Sequence, residues 1–486
     1  MTATFFWHDY ETFGADPQRD RPCQFAGLRT DLDFNIIGDP LMLYCKPAAD
    51  YLPHPEACLI TGITPQIAEA QGVIEAEFAR CIEYELAQSG TCGVGYNSIR
   101  FDDEVTRNLL YRNFYDPYAR EWQNGNSRWD LIDIARAARA LRPDGIEWPL
   151  NEDGLPSFRL ELLTEANGIR HEAAHDALSD VHATIAIARL IKQRQPRLYD
   201  YLFEHRSKVK AIELLNVGSF TPLVHVSGRF PARKHCLAVV LPLCPHPQRA
   251  TEIIVYDLST DPTPLLELDA NAIRERLFVA ADQLAEGVER IPLKTVHVNK
   301  CPVLAPLSVI RPNDAERLQI DLSVCQRHLE KIRLAPELTS KLADVFRRDY
   351  PPASDDPDWM IYSGGFFSQR DKQAMAKIRQ QPISELATFA ERFDDARLPE
   401  MLFRYRARNY PDTLSVVEQS RWQAYCREKL TQEGTVMNFA NLQQILQRLS
   451  LEWSESHPLL LQLASWEQDK AEALGLASST CSTASA

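Results

Sequence analysis

The chain has 486 residues, of which 45% are hydrophobic and 25% charged, and its formal net charge is −14 at pH 7. This length predicts about two to four domains, and the net charge argues mildly against a polyanion partner while leaving room for a local basic groove. The 11 cysteines contain no CxxC pair, which argues against a disulfide framework and a structural zinc site. With no visible secretory signal and no apolar run of membrane-spanning length, we expect a cytoplasmic protein without membrane association.

Residues 1–196 have the pattern of an α/β domain. Three β-like runs come first, at 4–10, in "CQFAGLRTDL" and in "LMLYCKP", and their short connections predict an antiparallel meander. A helical stretch then precedes a buried strand, "TCGVGYN". The stretches "SIRFDDEVTRNLLYRNFY", "RWDLIDIARAARALRP", "SFRLELLTEANG" and "HDALSDVHATIAIARLIKQR" are predicted helices.

The remaining chain divides into two further regions and a tail. Residues 197–350 contain short β-like runs separated by Pro and Gly, which predict a small barrel or sandwich with an inserted helix. The segment 350–360, "YPPASDDPDWM", has the composition of a linker. Residues 351–473 have a helical pattern throughout, and the small, polar tail 474–486 is predicted to be disordered.

The first candidate site lies in "FFWHDYETFG", where an apolar strand ends in two acids. Residues i and i+2 of a strand share a face, so Asp9 and Glu11 are predicted to lie side by side. Neighbouring carboxylates repel each other and are costly to bury, and a multivalent cation between them would remove both costs. The alternative is a solvated strand end, because Asp-x-Glu also occurs at 102–104 and 314–316.

Two further segments carry acids on suitable elements. In "GYNSIRFDDEV", Asp102 and Asp103 lie near a predicted helix start, where acids also complement the helix dipole. In "HEAAHDALSDVHA", Asp176 and Asp180 share a helix face and His175 precedes them. The alternative for the last segment is that Asp176 caps the helix and His175 is a surface residue.

Taken together, the three segments resemble the DnaQ-like exonuclease superfamily, in its branch with four acids and a histidine. Further segments, including "ITGITPQ", "NSRWDLID", "PLVHVSG", "VHVNKCPVLAP" and "FRYRARNYP", resemble the bacterial exonuclease I family over nearly the whole chain. The resemblance implies a ribonuclease-H-like catalytic domain, an SH3-like barrel and a C-terminal helical domain. It also implies degradation of single-stranded DNA from the 3′ end to 5′-mononucleotides, in DNA repair and recombination.

The implied mechanism uses two Mg²⁺ ions about 4 Å apart, with Mn²⁺ as a substitute. Magnesium prefers oxygen ligands, which four carboxylates supply. We expect Asp9 to bridge both ions, and Glu11 and Asp180 to hold the ion on the side of the attacking water. Asp102 would support the leaving-group side, and His175 would act as the general base. Asp103 is the alternative to Asp102 for the role on the leaving-group side. The family spacing Asn-x-x-x-Phe-Asp favours Asp102.

The predicted substrate contacts lie in two segments besides Glu11. Ile63 and Thr64 match the place where relatives pack the 3′-terminal nucleotide, although Thr64 is also a plausible helix cap before a proline. Arg159 is a candidate phosphate contact. Phe101 and Trp122 are candidate platforms for base stacking. The alternative, which the sequence favours for both, is that they pack in the core.

Two basic segments are candidates for the DNA path, at 403–411 and 228–235, with a solvated helix face as the alternative for the first. The resemblance further implies binding of the acidic C-terminal tail of single-stranded DNA-binding protein. Arg142, Tyr201 and Arg311 lie in family-like segments and are the predicted pocket for that tail. The acids and the histidine of the site all come from one chain, which favours a monomer.

Two other functions remain open from the sequence. An RNA exonuclease would use the same five residues, but such relatives are short and lack the two additional domains. A non-catalytic DNA-binding or scaffold protein would retain a degenerate site, which the presence of all five motif residues disfavours.

Overall fold

The computed structural model describes residues 3–171, 176–280, 283–349, 354–433, 437–453 and 456–476. His175 and the tail from 477 onwards therefore lie outside the described residues. The chain forms two compact units, which are described separately. The first comprises Met1–Ser127, Glu172–His182 and Pro352–Ala486, and the second comprises Arg128–His171 and Ala183–Pro351. The predicted domain boundaries at 196, 350 and 473 stay predictions.

The N-terminal part of the first unit contains strands and helices in alternation. Its elements, in chain order, are β1 (Thr4–Thr12), β2 (Pro22–Thr30), β3 (Ile36–Tyr44), α1 (Pro55–Thr61), α2 (Pro65–Gln71), α3 (Glu75–Leu86), β4 (Thr91–Gly95) and α4 (Asp102–Arg112). The strands lie side by side in the order β3-β2-β1-β4. β1 pairs antiparallel with β2 and β2 with β3, as the predicted meander requires, and β1 runs parallel to β4.

The C-terminal part of the first unit is helical. It contains α15 (Gln369–Ile378), α16 (Arg397–Asn409), α17 (Val416–Thr431), α18 (Phe439–Glu452) and α19 (Pro458–Ala473), with short 3₁₀ segments at Pro357–Trp359 and Ile383–Arg392. Two apolar clusters join these helices to the N-terminal part. One packs α18 and α19 against α1, and the other packs α15 and α16 against α4.

A third group of elements, which includes the elements of the second unit, lies in the chain between α4 and α15. They are β5 (Ser127–Asp130), α5 (Leu131–Leu141), α6 (Leu160–Ala166), α7 (Ala177–Arg194), α8 (Pro196–Glu204), α9 (Lys208–Leu214), β6 (Leu223–Val226), β7 (Leu237–Pro245), β8 (Glu252–Asp257), α10 (Thr263–Glu267), α11 (Ala270–Phe278), β9 (Leu293–His297), β10 (Val303–Pro306), α12 (Pro312–Arg317), α13 (Leu322–Arg333) and α14 (Leu338–Phe346). β6 to β10 form a sheet in the order β10-β6-β7-β8-β9. Its buried aliphatic face packs on α9.

The element predictions differ from the structure in two places. The stretch 64–88 is two helices, because the chain turns at Gly72 into extended backbone (φ −86°, ψ 160°). The residues "RWD" at 128–130 belong to β5, and the helix begins only at Leu131, where the Asp130 side chain accepts from the backbone N–H of Ile132. None of the helices within the described ranges has the length and apolar character needed to cross a bilayer.

β1 places alternate residues on opposite faces of the sheet. Phe6 and Tyr10 pack into the core under α3 and α4, whereas Phe5 and Trp7 pack against Phe34 on the other face. Because the period of a strand is two residues, the side chains that follow Phe5 and Trp7 on their face are the two acids of "HDYET". The sheet therefore presents these acids where β1 ends.

Candidate active site

Three carboxylates of the first unit meet at the end of β1. Asp9, Glu11 and Asp180 each offer an oxygen atom, and these atoms all lie within 4.8 Å of one another. Glu11 is 8% exposed and Asp9 is half-buried. The structure thus brings together acids that are separated by about 170 positions in the chain, and their spacing would allow one cation to contact all three.

Asp102 lies beside these three acids at the start of α4. It is buried, and its Oδ1 accepts a hydrogen bond from the backbone N–H of Tyr10 at 3.1 Å. Thr106 reinforces the contact, because its hydroxyl donates to the Asp102 carbonyl at 2.8 Å and also contacts the Tyr10 hydroxyl at 3.0 Å. We call Asp9, Glu11, Asp102 and Asp180 the acidic cluster.

The turn between β4 and α4 explains how Asp102 reaches β1. Gly95 ends β4, and a Cβ atom there would lie 2.9 Å from the His8 carbonyl oxygen, so the close approach of the two strands requires glycine. Asn97 then adopts a left-handed conformation (φ 63°), which asparagine tolerates better than most residues. The chain therefore reverses sharply and starts α4 at the edge of the sheet where β1 ends.

The structure distinguishes Asp102 from its rival Asp103. The Asp103 carboxylate accepts a hydrogen bond from the buried guanidinium of Arg120 at 2.6 Å. Its charge is therefore compensated within the protein. Asp102, in contrast, acts on the pKa of both Asp9 and Glu11. The choice of Asp102 over Asp103 stays a prediction, which this difference in charge compensation supports.

Gln24 on β2 positions the start of α7, and sequence analysis did not single it out. Its side chain is buried, accepts from the backbone N–H of Ala177 at 3.3 Å and donates to Asp176 at 3.5 Å. Gln24 is also the register partner of Glu11. Asp176 caps the helix by accepting from the Ser179 N–H, as the structural alternative required. Gln24 thereby connects the helix that carries an acid of the cluster to the strand next to β1.

The electrostatics of the acidic cluster favour a bound cation. Burial raises the pKa of Asp9 well above its usual value, and the charges of Asp102, Glu11 and Asp180 raise it further. Burial also raises the pKa of Glu11 to about 8, together with the charges of Asp180, Asp102 and Asp176. Carboxylates gathered in this way repel one another in the absence of a cation. Hard cations prefer oxygen ligands, and the carboxylates of the acidic cluster supply such oxygen atoms.

The predicted substrate residues of the first unit are buried. Ile63 is part of the apolar cluster under α1, and the Thr64 hydroxyl caps α2 by accepting from the Ile67 N–H at 3.3 Å, with Pro65 at the first helical position. Their predicted contact with a terminal nucleotide stays a prediction. Trp122 is 65% exposed, so the preference for core packing was wrong there, whereas Phe101 does pack against the core.

Arg159 and the predicted partner residues belong to the second unit. The exposed Arg159 guanidinium pairs with Glu161. Arg142 and Arg311 both contact the buried carboxylate of Asp314, at 3.3 Å and 2.7 Å. The described contacts of Tyr201 lie elsewhere, since its hydroxyl donates to the Leu304 carbonyl and its ring stacks on His205.

The segment 403–411 is a structural element of α16, and both interpretations of it were wrong. Arg404 and Arg406 are buried, and the Arg408 side chain is only 3% exposed, so none of the three is open to solvent or to a strand. Arg408 donates two hydrogen bonds to Asp50, at 3.0 and 2.8 Å, and also contacts Asp358. Arg404 pairs with Asp358 too, so Asp358, near the end of the predicted linker segment, is anchored on α16. We call the buried ion pairs among Asp50, Asp358, Arg404 and Arg408 the arginine network.

An exposed aromatic residue near α4, Phe366, is a further candidate for contact with a nucleic acid base. Tyr362 bonds through its hydroxyl to Glu104 of α4, and Arg397 donates to the Gly365 carbonyl at 3.2 Å. Between these anchored positions and Phe367, which packs on Tyr111, the side chain of Phe366 is 89% exposed. An exposed ring on an anchored segment is suited to base stacking. The sequence signal was the Gly-Gly-Phe-Phe segment itself, which is weak.

A mixed sheet whose central strand gathers four carboxylates defines the class of the chain, that of the exonucleases. Residues 6–188 match the family described as "Exonuclease". Residues 206–348 match the "Exonuclease I SH3-like domain", and 355–470 match the "Exonuclease I C-terminal domain". The chain belongs to the exonuclease I family. The predicted fold class and the predicted enzyme class, an exodeoxyribonuclease, are confirmed.

Relatives match over almost their full length. The chain is 51% identical to Exodeoxyribonuclease I of Escherichia coli K12 over 92% of this chain and 94% of that protein. It is 48% identical to Exodeoxyribonuclease I of Haemophilus influenzae, over 95% and 97%. Among solved structures, E. coli Exonuclease I with a dA16 oligonucleotide has a TM-score of 0.93 at 48% identity, covering 97% of this chain and 100% of that one.

Two further solved structures are informative. Exonuclease I from Methylocaldum szegediense, described as moderately thermophilic, has a TM-score of 0.91 at 51% identity, covering 97% of this chain and 99% of that one. A zinc-bound complex of E. coli Exonuclease I with single-stranded DNA has a TM-score of 0.91 at 48% identity, covering 98% and 100%. The predicted dependence on a metal ion holds at the level of the family.

Proposed function

We propose that this chain removes 5′-mononucleotides one at a time from the 3′ end of single-stranded DNA, with two Mg²⁺ ions held by the acidic cluster. The observation that carries the proposal is the convergence of Asp9, Glu11 and Asp180 within 4.8 Å. Relatives whose structures hold dA16 or dT13 oligonucleotides support the choice of substrate. A cytoplasmic location and a monomeric state stay predictions.

The donor set supports magnesium. The acidic cluster offers carboxylate oxygen atoms and no sulfur or imidazole ligand among the described residues, which suits a hard divalent cation, with Mn²⁺ as a substitute. Paired divalent cations stabilise charge on the phosphate and activate water for attack. The raised pKa values of Asp9 and Glu11 support the same conclusion, because a cation would favour the charged form of both groups.

The proposed roles follow from the elements that hold each acid. The charges of Asp102, Glu11 and Asp180 all act on Asp9 of β1, so Asp9 would help to hold both ions. Glu11 and Asp180 would hold the ion nearer the attacking water. The Asp102 carboxylate is fixed by the Tyr10 N–H, which suits a supporting role on the leaving-group side.

We assign the general base to His175, which precedes Asp180 by five positions and lies outside the described residues. An imidazole there would take the proton of the attacking water. The variant His175→Ala should lose about 100- to 10,000-fold in the rate of digestion, the usual contribution of a general base. His182→Ala, an exposed histidine on α7, is the matched control and should retain full activity.

The proposed function is tested by digestion of matched single-stranded DNA, duplex DNA and RNA, each labelled at either end, with and without chelator. We expect metal-dependent release of mononucleotides from the 3′ end of single-stranded DNA. Equal digestion of RNA would favour the RNA exonuclease alternative. Tight strand binding without release from any substrate would favour the scaffold alternative.

We further propose that the acidic C-terminal tail of single-stranded DNA-binding protein binds beside Arg142 and Arg311. In the second unit these residues and Arg317 all contact the Asp314 carboxylate, so positive charge exceeds negative charge there. An adjacent cleft of about 440 Å³ is lined by Arg311 and Arg317. Tyr201 stays a predicted member of this pocket.

Binding of a labelled acidic peptide should detect this interaction. Arg311→Ala should weaken peptide binding several-fold, because Arg311 is half-exposed and supplies a charge to the cleft. Arg347→Ala, which changes an exposed arginine at the C-cap of α14, is the matched control. Equal losses in both variants would indicate a non-specific charge effect.

A further inference from the structure

A second cavity in the first unit shares no residue with the acidic cluster. It has a volume of about 540 Å³ and is formed by the segment after β3 together with α2, α16, α17 and α19. Its lining residues include Lys46, Glu69, Trp422, Trp466, Asp469 and Lys470. Small-molecule sites usually have volumes of about 300–1,000 Å³ and combine apolar walls with a few polar groups. This cavity has both properties.

Lys470 is a cation without a carboxylate partner within the part of the chain that the structure describes. Its Nζ donates to the Ala48 carbonyl at 3.1 Å and lies 4.6 Å from the centroid of the Trp466 ring. Burial lowers the pKa of Lys470 to about 8, although Asp50, Cys426 and Glu69 act in the opposite direction. Asp50 is engaged by Arg408 and Lys429. An anion beside the amine would therefore supply the compensation that Lys470 lacks.

The other walls of the cavity suit a planar ring. Trp422 and Trp466 both line it, and indole rings provide flat apolar surface for stacking. Glu69 and Asp469 are exposed members of the lining. Their carboxylates could accept hydrogen bonds from amino or ring N–H groups, and they would repel a ligand with several phosphates.

We propose that this cavity binds a nucleoside 5′-monophosphate, with the phosphate at Lys470 and the base between the walls that carry Trp422 and Trp466. The inference rests on the proposed function, because such a mononucleotide is the product of the proposed reaction. The cavity is then a second site for product, separate from the acidic cluster. When released nucleotides accumulate, one of them would bind there and contact α19 and the segment after β3.

The direct test is calorimetric titration of the full chain with dAMP in the presence of EDTA, which removes metal-dependent binding at the acidic cluster. We expect one dAMP per chain, and at least a tenfold weaker affinity for Lys470→Met. The matched control is Lys372→Met, an exposed lysine on α15, which should bind as the parent chain does. Asp9→Asn should also bind dAMP normally.

Probe molecules separate the parts of the proposed ligand. Inorganic phosphate alone and deoxyadenosine alone should each bind more weakly than dAMP, and dATP should bind more weakly because of Glu69 and Asp469. The variant Glu69→Gln should reduce the preference for dAMP over dATP, which gives a readout independent of Lys470. Thermal melts of each variant check that it is folded.

The outcomes distinguish this inference from the proposed function. Unchanged dAMP affinity in Lys470→Met, or loss of binding in Asp9→Asn, would overturn the second site. If the parent chain digests single-stranded DNA but does not bind dAMP in EDTA, the second site is refuted and the proposed function stands. Binding of dAMP without digestion of any strand would refute the proposed function while retaining a nucleotide site.

Discussion

The acidic cluster and the arginine network are two groups of buried charges in the same unit, and they differ in how the charges are compensated. In the acidic cluster, burial and like charges raise the pKa of Glu11 to about 8. In the arginine network, burial alone would raise the pKa of Asp50, but Arg408 and Lys429 hold it well below its usual range. The arginine network is neutralised within the chain, whereas the described part of the chain places no such protein cation on Asp9 and Glu11 of the acidic cluster.

Glu75 extends the comparison to a single residue type. It is buried at the start of α3, where Arg21 contacts it at 2.8 Å and Arg112 at 3.3 Å. Burial would raise its pKa, but Arg112 and Arg21 lower it to about 2. Glu11 and Glu75 are thus similarly buried glutamates with opposite shifts. The presence of a protein cation, rather than burial, distinguishes the structural carboxylate from the one suited to chemistry.

The largest expected effect is on the acidic cluster. Asp9→Asn should reduce the rate of digestion by about 1,000-fold or more, because charge stabilisation by bound metal contributes several kcal/mol. The free energy of unfolding without metal should stay the same or rise, since one repelling charge is removed. Digestion kinetics and urea unfolding measure the two quantities. Asp39→Asn, an exposed acid on β3, is the control and should change neither.

The arginine network should show the opposite pattern. Arg408→Met leaves Asp50 and Asp358 without their shared cation, and breaking a buried pair in this way costs about 3–5 kcal/mol. Urea unfolding should report this loss, while digestion by the folded fraction stays close to the parent rate. A variant of normal stability that binds single-stranded DNA poorly would instead restore the interpretation of 403–411 as a strand-binding segment.

The sequence predicted the acidic cluster better than the arginine network for a physical reason. Each acid of the cluster lies in a short pattern whose element is readable locally, such as the apolar strand before Asp9 and the helical spacing of Asp176 and Asp180. Arg408 and Asp50 are 358 positions apart, and no local pattern connects them. Arginines interleaved with tyrosines are equally typical of a strand-binding surface and of a helix, so only the tertiary contacts reveal that they are buried.

The same argument applies to smaller parts of the structure. The meander was predictable because its β-like runs follow one another in the chain with short connections. The strand at "RWD" was not, because three residues directly before a strong helical pattern give no β signal of their own. The sequence could not predict Gln24 as a site residue, because its role depends on its pairing with Glu11 across the sheet and on its contact with Ala177.

Gln24 provides the next test of the comparison, because it supports the cluster without belonging to it. Gln24→Ala removes the contacts to Asp176 and Ala177, and loss of such support around a metal site costs about 10- to 100-fold in affinity or activity. The Mg²⁺ concentration for half-maximal digestion should rise, which a purely structural role would not cause. Gln18→Ala, on the exposed loop after β1, is the control. An unchanged magnesium requirement with a lowered melting temperature would show that Gln24 is only structural.

The smallest expected effect is the pH dependence of stability without metal. Because its folded pKa is raised, Glu11 contributes stability that is complete below its unfolded value of 4.5 and is lost as pH rises towards about 8. Glu75 behaves oppositely, since its contribution is present above 4.5 and is lost as pH falls towards about 2. Between pH 6 and 7 Glu75 stays ionised in both states, and the contribution of Glu11 to the stability of the metal-free protein should fall by about 1 kcal/mol.

Urea unfolding of the parent chain and of Glu11→Gln in EDTA at the two pH values measures this loss. Buried histidines such as His8 and His225, whose pKa is lowered, affect both proteins alike. The parent should lose about 1 kcal/mol relative to Glu11→Gln between pH 6 and 7, because the amide does not ionise. Saturating Mg²⁺ should reduce this relative loss, since a bound cation favours the charged carboxylate and its contribution grows with pH. If the loss were the same with and without Mg²⁺, the acidic cluster would not be binding the cation, and the contrast with the arginine network would have to be explained by burial alone.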